Sequence, residues 1–209
     1  MKVLMLNGSP HEHGCTDTAL REVASALTQE GVESEIVWIG KGPIRDCTAC
    51  GACRKLDGRC VFGDDLVNEV REKARAADGF VFGSPVYYAH PSGAVLSFLD
   101  RLFYAAEPDV FSFKPGAAVV SARRGGTTAS FDVLNKYFTI SRMPIVSSQY
   151  WNMVHGNSPD EVRQDLEGLQ TMRTLGRNMA WLLKCIEAGK AAGIPMPERE
   201  PFQRTNFIR

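Results

Sequence analysis

The chain has no surplus of charge: Lys plus Arg and Asp plus Glu are equal at 24 each in 209 residues. That balance offers nothing to attract nucleic acid or an anionic membrane, and neither is expected as a partner. Long apolar runs are missing as well. No stretch approaches the ~18 residues of a membrane span. The opening MKVLMLNGSPHE reaches Asn7-Gly8 too soon for a signal peptide. The expected compartment is the cytoplasm, where thiols stay reduced. There is no G-x-G-x-x-G and no G-K-[ST], which excludes a dinucleotide fingerprint and a Walker A loop. Internal repeats and low-complexity linkers are absent too.

What is present is an ordinary globular mixture, 44% hydrophobic and 23% charged. One domain over residues 1–190 is expected, followed by a polar tail or arm over 191–209. Short apolar runs alternate with helical patterns. Strands are predicted at 2–7, 33–39, 79–85, 116–122 and 143–148. Between them, apolar residues at three-four spacing predict helices from Thr16 to Glu30, after Asp64-Asp65, over 91–105 and up to about Ile140. Ser158-Pro159-Asp160-Glu161 reads as a capping box opening one long helix through Val162, Leu166, Leu169, Met172, Leu175, Met179 and Leu182. Strand–helix alternation with continuously apolar strands predicts an α/β fold, a doubly wound five-stranded parallel sheet covered on both faces. In such sheets ligands sit at the carboxyl ends of the strands, where strand order reverses.

Three strand ends therefore matter. The first strand runs into NGSPHEHGCTDT, a polar loop entering a helix, which suits a phosphate; Ser9, Thr16 and Thr18 supply hydroxyls. The third runs into GSPVYYAHPSG, with Tyr87, Tyr88 and His90 where a flat ligand would lie. The fourth runs into SARRGGTTAS, where Gly125-Gly126 permits close approach and Arg123-Arg124 adds positive charge. Each alone is also an ordinary turn. Together they describe a mononucleotide with a broad ring.

On these stretches the chain resembles the flavodoxin-like NAD(P)H-dependent FMN reductases, and looks closest to their iron–sulfur flavoprotein branch. The resemblance covers residues 1–150 and rests on G-S-P-x-x-x-G-x-T at 8–16, the cysteine run 47–60 followed by Asp64-Asp65, FGSPVYYAHPSG…FLDRLF at 82–103 and SARRGGT at 121–127. It implies FMN, with Ser9, Pro10, Thr16 and Thr18 at the phosphate. Pro85, Val86, Tyr87 and Tyr88 would lie along the ribityl chain and ring, and Ser121, Arg123, Gly125, Gly126 and Thr127 on the pyrimidine side. It also implies an enzyme that takes hydride from NAD(P)H and passes electrons to a small acceptor such as a quinone or flavin. A flavin needs orientation rather than a catalytic base, so no acid–base residue is nominated; His90 is the candidate weighed for one. Arg123 or Arg124 is expected at the donor's phosphate, with Tyr88 and Trp151 as walls of the substrate slot.

Cys47, Cys50, Cys53 and Cys60 give C-x2-C-x2-C-x6-C. Successive C-x2-C steps suit corners of a 4Fe–4S cubane better than the paired knuckles of zinc. A reduced thiol loop without metal stays open, since relatives of this fold keep several such cysteines and no cluster. With a cluster, the rival to the enzyme is a non-enzymatic electron carrier using FMN and 4Fe–4S. Tyr87, Tyr88, Phe103, Tyr104, Tyr150 and Trp151 near the loop edge, with Phe202 and Phe207 in the tail, point to a homodimer or homotetramer.

Overall fold

A computed structural model of the chain describes residues 1–201, 203–205 and 207. The strands are β1 (Lys2–Asn7), β2 (Glu33–Trp38), β3 (Gly79–Tyr87), β4 (His90–Pro91), β5 (Gly116–Ala122) and β6 (Met153–His155). The helices are α1 (Cys15–Gln29), α2 (Val67–Ala76), α3 (Gly93–Ala105), α4 (Pro108–Phe111), α5 (Thr127–Ile140), α6 (Pro159–Gln164) and α7 (Leu166–Ala191). Five strands run parallel in the order β2-β1-β3-β5-β6, and the two-residue β4 turns back antiparallel onto the end of β3.

Strand residues alternate between two cores, which is why the strands read as unbroken apolar runs. Leu4, Leu6, Phe80, Phe82, Ala118 and Val120 face α2, α3, α4 and α5, meeting Val70, Phe98, Leu99, Phe111 and Phe138. Val3, Met5, Val81, Ala117 and Val119 face α1 and α7, meeting Leu20, Val23, Leu27, Leu175 and Met179. Each of the Val, Leu, Met and Phe side chains contributes about 1.5–3 kcal/mol on burial, and the alanines less. Strand order reverses between β1 and β3, so their carboxyl ends open the crevice where a ligand fits.

Three expectations need correction. The fifth strand is not 143–148: that stretch makes one bridge, Gly116 to Ile145, and the ladder resumes only at β6. Pro144 has no N–H to give a ladder, and Ser148 instead bonds Tyr150 and Asn152 in a loop. The capping box opens only the six-residue α6, with the Ser158 hydroxyl accepting from Glu161 N at 3.3 Å. The chain then breaks at Asp165, which caps α7 by itself, and Leu166 is left 74% exposed rather than inward. Phe103 does not lie free at the loop edge: it is half-buried against the core, stacked on Phe111 with ring centroids 4.2 Å apart.

In the described part of the tail, the Arg199 guanidinium bonds Asp109 at 2.5 Å and Ser112 at 3.2 Å on its own chain. Phe207 is exposed, and Phe202 lies outside the described residues.

Candidate functional site

The loop after β1 is shaped by its own polar groups. Asn7 is fully buried; its Oδ1 accepts from Ser9 N at 3.1 Å and its Nδ2 donates to Glu12 O at 2.9 Å. Trp38 Nε1, at the end of β2, donates to Ser9 O at 2.8 Å. α1 then begins at Cys15 behind Gly14, without a side-chain cap. α5 likewise begins behind Gly126 without one, whereas Ser92, Ser158 and Asp165 cap α3, α6 and α7. α2 also starts without a side-chain cap from its N-cap residue, Leu66, but α1 and α5 follow β1 and β5, and their starts leave N–H groups free for an anion at the crevice.

The three strand-end loops are knitted together. Gly8 N donates to Gly83 O at 2.9 Å, and the Ser92 hydroxyl donates to Gly8 O at 2.8 Å, joining the first loop to the third strand's. The Thr16 and Ser121 hydroxyls share a hydrogen bond of 2.8 Å, joining the first loop to β5. Gly126, at φ +95°, lies against Ala89 so closely that a Cβ there would meet Ala89 Cα at 2.8 Å. That contact and that backbone angle both require glycine.

Between β3 and β4 the turn residues Tyr88 and Ala89 sit at φ +50° and +61°, unfavourable for non-glycine residues. Tyr88 is 99% exposed and Tyr87 44%. His90 Nδ1 donates to Pro91 O at 2.6 Å. A cleft of about 630 Å³ adjoins the β5–α5 loop, lined by Arg124, Gly125, Thr127, Tyr150, Trp151 and His155 among others. Of the expected slot residues, Arg124 and Trp151 line this cleft; Arg123 and Tyr88 do not.

The cysteines lie elsewhere, in the irregular stretch between β2 and α2. Cys47, Cys50, Cys53 and Cys60 line one small pocket with Arg101 and Tyr104 of α3. All four are free thiols. The Ala52 N–H and the Thr48 hydroxyl hold the Cys50 thiol below its usual range, towards the thiolate a metal needs. Two fully buried arginines support the loop from beneath. Arg101 Nε donates to Cys60 Sγ at 3.3 Å, and Arg71 donates to the carbonyl of Asp57. At Gly58, φ +73°, a Cβ would stand 2.4 Å from Arg71 Nη2, so glycine is required for the loop to close over that guanidinium.

The family model for NADPH-dependent FMN reductases matches residues 1–158. The chain belongs to this family. An iron–sulfur flavoprotein of Methanocaldococcus jannaschii is 31% identical over 198 residues, covering 90% of this chain and 100% of that protein. An iron–sulfur flavoprotein of Methanosarcina thermophila is 27% identical over 194 residues, covering 91% and 99%. Among solved structures, a flavodoxin from the domain Archaea superposes with a TM-score of 0.60 at 14% identity, covering 88% of this chain and 99% of the other, a likeness of fold. The doubly wound fold expected from the strand pattern is the observed one, and it is flavodoxin-like. As a member of the FMN reductase family, the chain is an oxidoreductase of flavoprotein type.

The residues present fit FMN. Two uncapped helix starts face the crevice, and a side chain built at Gly125 would project into open space beside it. Ser9, Thr16, Ser121 and Thr127 are buried at its floor, Pro85 and Val86 are half-buried, and Arg123 and Gly125 are exposed at its rim. The Thr18 hydroxyl donates to Gly14 O at 3.1 Å, across the start of α1. The cysteines fit a cubane in kind and number. Among the described residues no three His, Cys, Asp or Glu side chains gather as they would around a single metal ion. Four cysteines line that pocket, the donor type and number a cubane takes.

Asn7, Arg71 and Arg101 carry much of this architecture and were not singled out from sequence. The signal for the arginines was there. Arg71 stands four after Val67 and three before Ala74 on the inner face of α2, and Arg101 stands three after Phe98 on that of α3. A charge on an apolar face marks a buried group with a task.

Proposed function

We propose that the protein is an FMN-dependent oxidoreductase that takes hydride from NAD(P)H and passes electrons to a small acceptor such as a quinone or free flavin. The observation that carries this reading is the joining of the loops after β1, β3 and β5 at one sheet edge, beside a cleft large enough for a nucleotide. FMN, when bound, supplies the redox chemistry by accepting hydride and releasing electrons. Ser9, Pro10 and the open N–H groups of α1 would hold its phosphate, with Thr16 and Thr18 fixing the turn through Ser121 and Gly14. Pro85, Val86, Tyr87 and Tyr88 would bound the ring on one side, and Ser121, Arg123, Gly125, Gly126 and Thr127 on the other. Arg124 would take a donor phosphate, for which the guanidinium fork is suited, with Trp151 beside it. Donor and acceptor would use the same open side by turns, because both need near contact of about 3–3.5 Å.

Cys47, Cys50, Cys53 and Cys60 would hold a 4Fe–4S cluster that handles single electrons; their shared pocket and the similarity to iron–sulfur flavoproteins support this. The same observation favours the second reading, an electron carrier without hydride chemistry. Exposed Tyr88, Tyr104, Tyr150 and Trp151 support a homodimer or homotetramer.

Anaerobic addition of NAD(P)H should bleach the flavin absorbance of purified protein, and denaturation should release FMN. Release of FAD, or no binding of micromolar FMN, overturns the flavin reading. If a one-electron donor reduces the flavin and NAD(P)H does not, the electron carrier replaces the enzyme. A monomeric mass by light scattering at high concentration removes the assembly.

A further inference from the structure

Arg101 enters the cysteine pocket from α3, the helix whose first turn is capped by Ser92 of the crevice. Its side chain has no exposed surface. Nε donates to Cys60 Sγ at 3.3 Å, Nη1 donates to Arg45 O at 3.2 Å and to the Asp65 carboxylate, and Nη2 donates to Phe62 O at 3.1 Å. The Phe62 ring meets two cations, its centroid 4.6 Å from the Arg45 guanidinium and 5.4 Å from that of Arg101. Three bonds thus hold one planar fork, and the fourth goes to one sulfur. Burying a guanidinium calls for negative charge beside it. Asp65 supplies one such group, and the Cys60 sulfur is the other acceptor able to carry charge. Arg71, equally buried under the same loop, touches no sulfur: it bonds Asp57 O and Glu72 and lies 3.7 Å from Glu107.

Resting on the reading of Cys47, Cys50, Cys53 and Cys60 as cluster ligands, we infer that Arg101 is a positioning residue that fixes Cys60 and raises the reduction potential of the group the four cysteines hold. Uptake of one electron adds negative charge that is shared with the ligand sulfurs. A buried cation donating a hydrogen bond to one of them favours the reduced form over the oxidised one. No bond is made or broken and no proton moves; the electron comes from an external one-electron donor, dithionite in the test below.

The experiment is reconstitution with iron and sulfide under anaerobic conditions, metal analysis, and a midpoint titration followed by electron paramagnetic resonance. Wild type should hold about four irons per chain. Arg101→Gln, loaded to the same level, should be reduced about tenfold less favourably, a potential about 59 mV lower for one electron. Arg101→Lys keeps the charge without the fork and should fall by less. Asp65→Asn removes the counter-charge, leaves Arg101 in place, and should move the potential upwards. Arg71→Lys should lower the melting temperature and leave the potential alone. An unchanged potential in iron-loaded Arg101→Gln overturns the inference, as does an equal shift in Arg71→Lys. If Arg101→Gln fails to load, Asp65→Asn decides, and a potential at or below wild type overturns it. If wild type itself takes up no iron, the cluster reading fails first, before any substitution is made, and the inference falls with it.

Discussion

The crevice loops and the cysteine loop are both held in place, by different means. The crevice loops are short, and each begins at a strand end whose neighbours bond it directly: Gly8 to Gly83, Thr16 to Ser121, Ser92 to Gly8. The sheet itself positions them. The cysteine loop runs from Ile39 to Leu66 with one 3₁₀ turn, at Ala52–Lys55. A loop of that length in a compact domain is uncommon and usually functional. Its order comes from α2 and α3: Arg71 and Arg101 bind its carbonyls and one sulfur, and Asn68 accepts from Cys60 N at 2.8 Å and donates to Cys60 O and Phe62 O. Where the sheet does the positioning, small residues suffice; where it does not, long buried cations bridge the gap.

The comparison breaks if the two regions fail independently of their own anchors. The largest effect is expected from Gly126→Val. A β-branched residue at φ +95°, with Ala89 Cα at 2.8 Å from its Cβ, must displace the β5–α5 loop. FMN affinity should fall by about 100-fold or more, roughly 2.7 kcal/mol, while iron uptake stays at the wild-type level; fluorescence titration and metal analysis read the two separately. Loss of iron together with FMN would unite the two regions. Next comes Arg71→Ala, which removes a buried fork and frees the loop at Asp57. It should cost about 2–4 kcal/mol and lower the melting temperature by roughly 5–15 °C. FMN binding in the cold should be unaltered.

Two smaller effects sharpen the contrast. Replacing Tyr88-Ala89 by Asn-Gly puts residues suited to positive φ into the β3–β4 turn. The protein should gain about 1 kcal/mol, seen as a higher melting temperature; a lower one would mean that the exposed ring of Tyr88 is itself stabilising. The smallest effect belongs to Glu35→Gln, away from both regions. Bonds from Lys2 at 2.5 Å and Lys73 at 2.6 Å hold the Glu35 carboxyl below its ordinary 4.5. With the folded pKa lowered, the stabilisation is present above pH 4.5 and is lost as pH falls through the folded value. The substitution should cost less than about 1 kcal/mol at neutral pH and nothing in acid, with neither cofactor affected; chemical denaturation at several pH values measures it.

The same contrast explains what was legible in the sequence. Strands β1, β3 and β5 announce themselves as apolar runs, and the loops that follow them are found by counting onward from their ends. β6 is missed because the chain bridges Gly116 once at Ile145, leaves the sheet, and returns only at Met153. The apolar residues of 143–148 are real, but Pro144 and the polar loop around Ser148 end the ladder. The four cysteines are plain to read as a set. Their support is not, since Arg101 meets Cys60 across 41 positions and Arg71 meets Asp57 across 14. Periodicity assigns a helix its inner face, but which loop a buried arginine on that face will hold is settled only by how the helices pack.

α3 touches both regions, with Ser92 at its start and Arg101 nine residues further along. A helix rises 1.5 Å and turns 100° per residue, so the two anchors stand about 14 Å apart at a set rotation. The helix works as a ruler. Surface loops elsewhere can lengthen or shorten at little expense, but one residue inserted between Ser92 and Arg101 would swing the guanidinium a quarter-turn or more out of its pocket. The stretch SGAVLSFLDR is therefore fixed in its count before it is fixed in its letters.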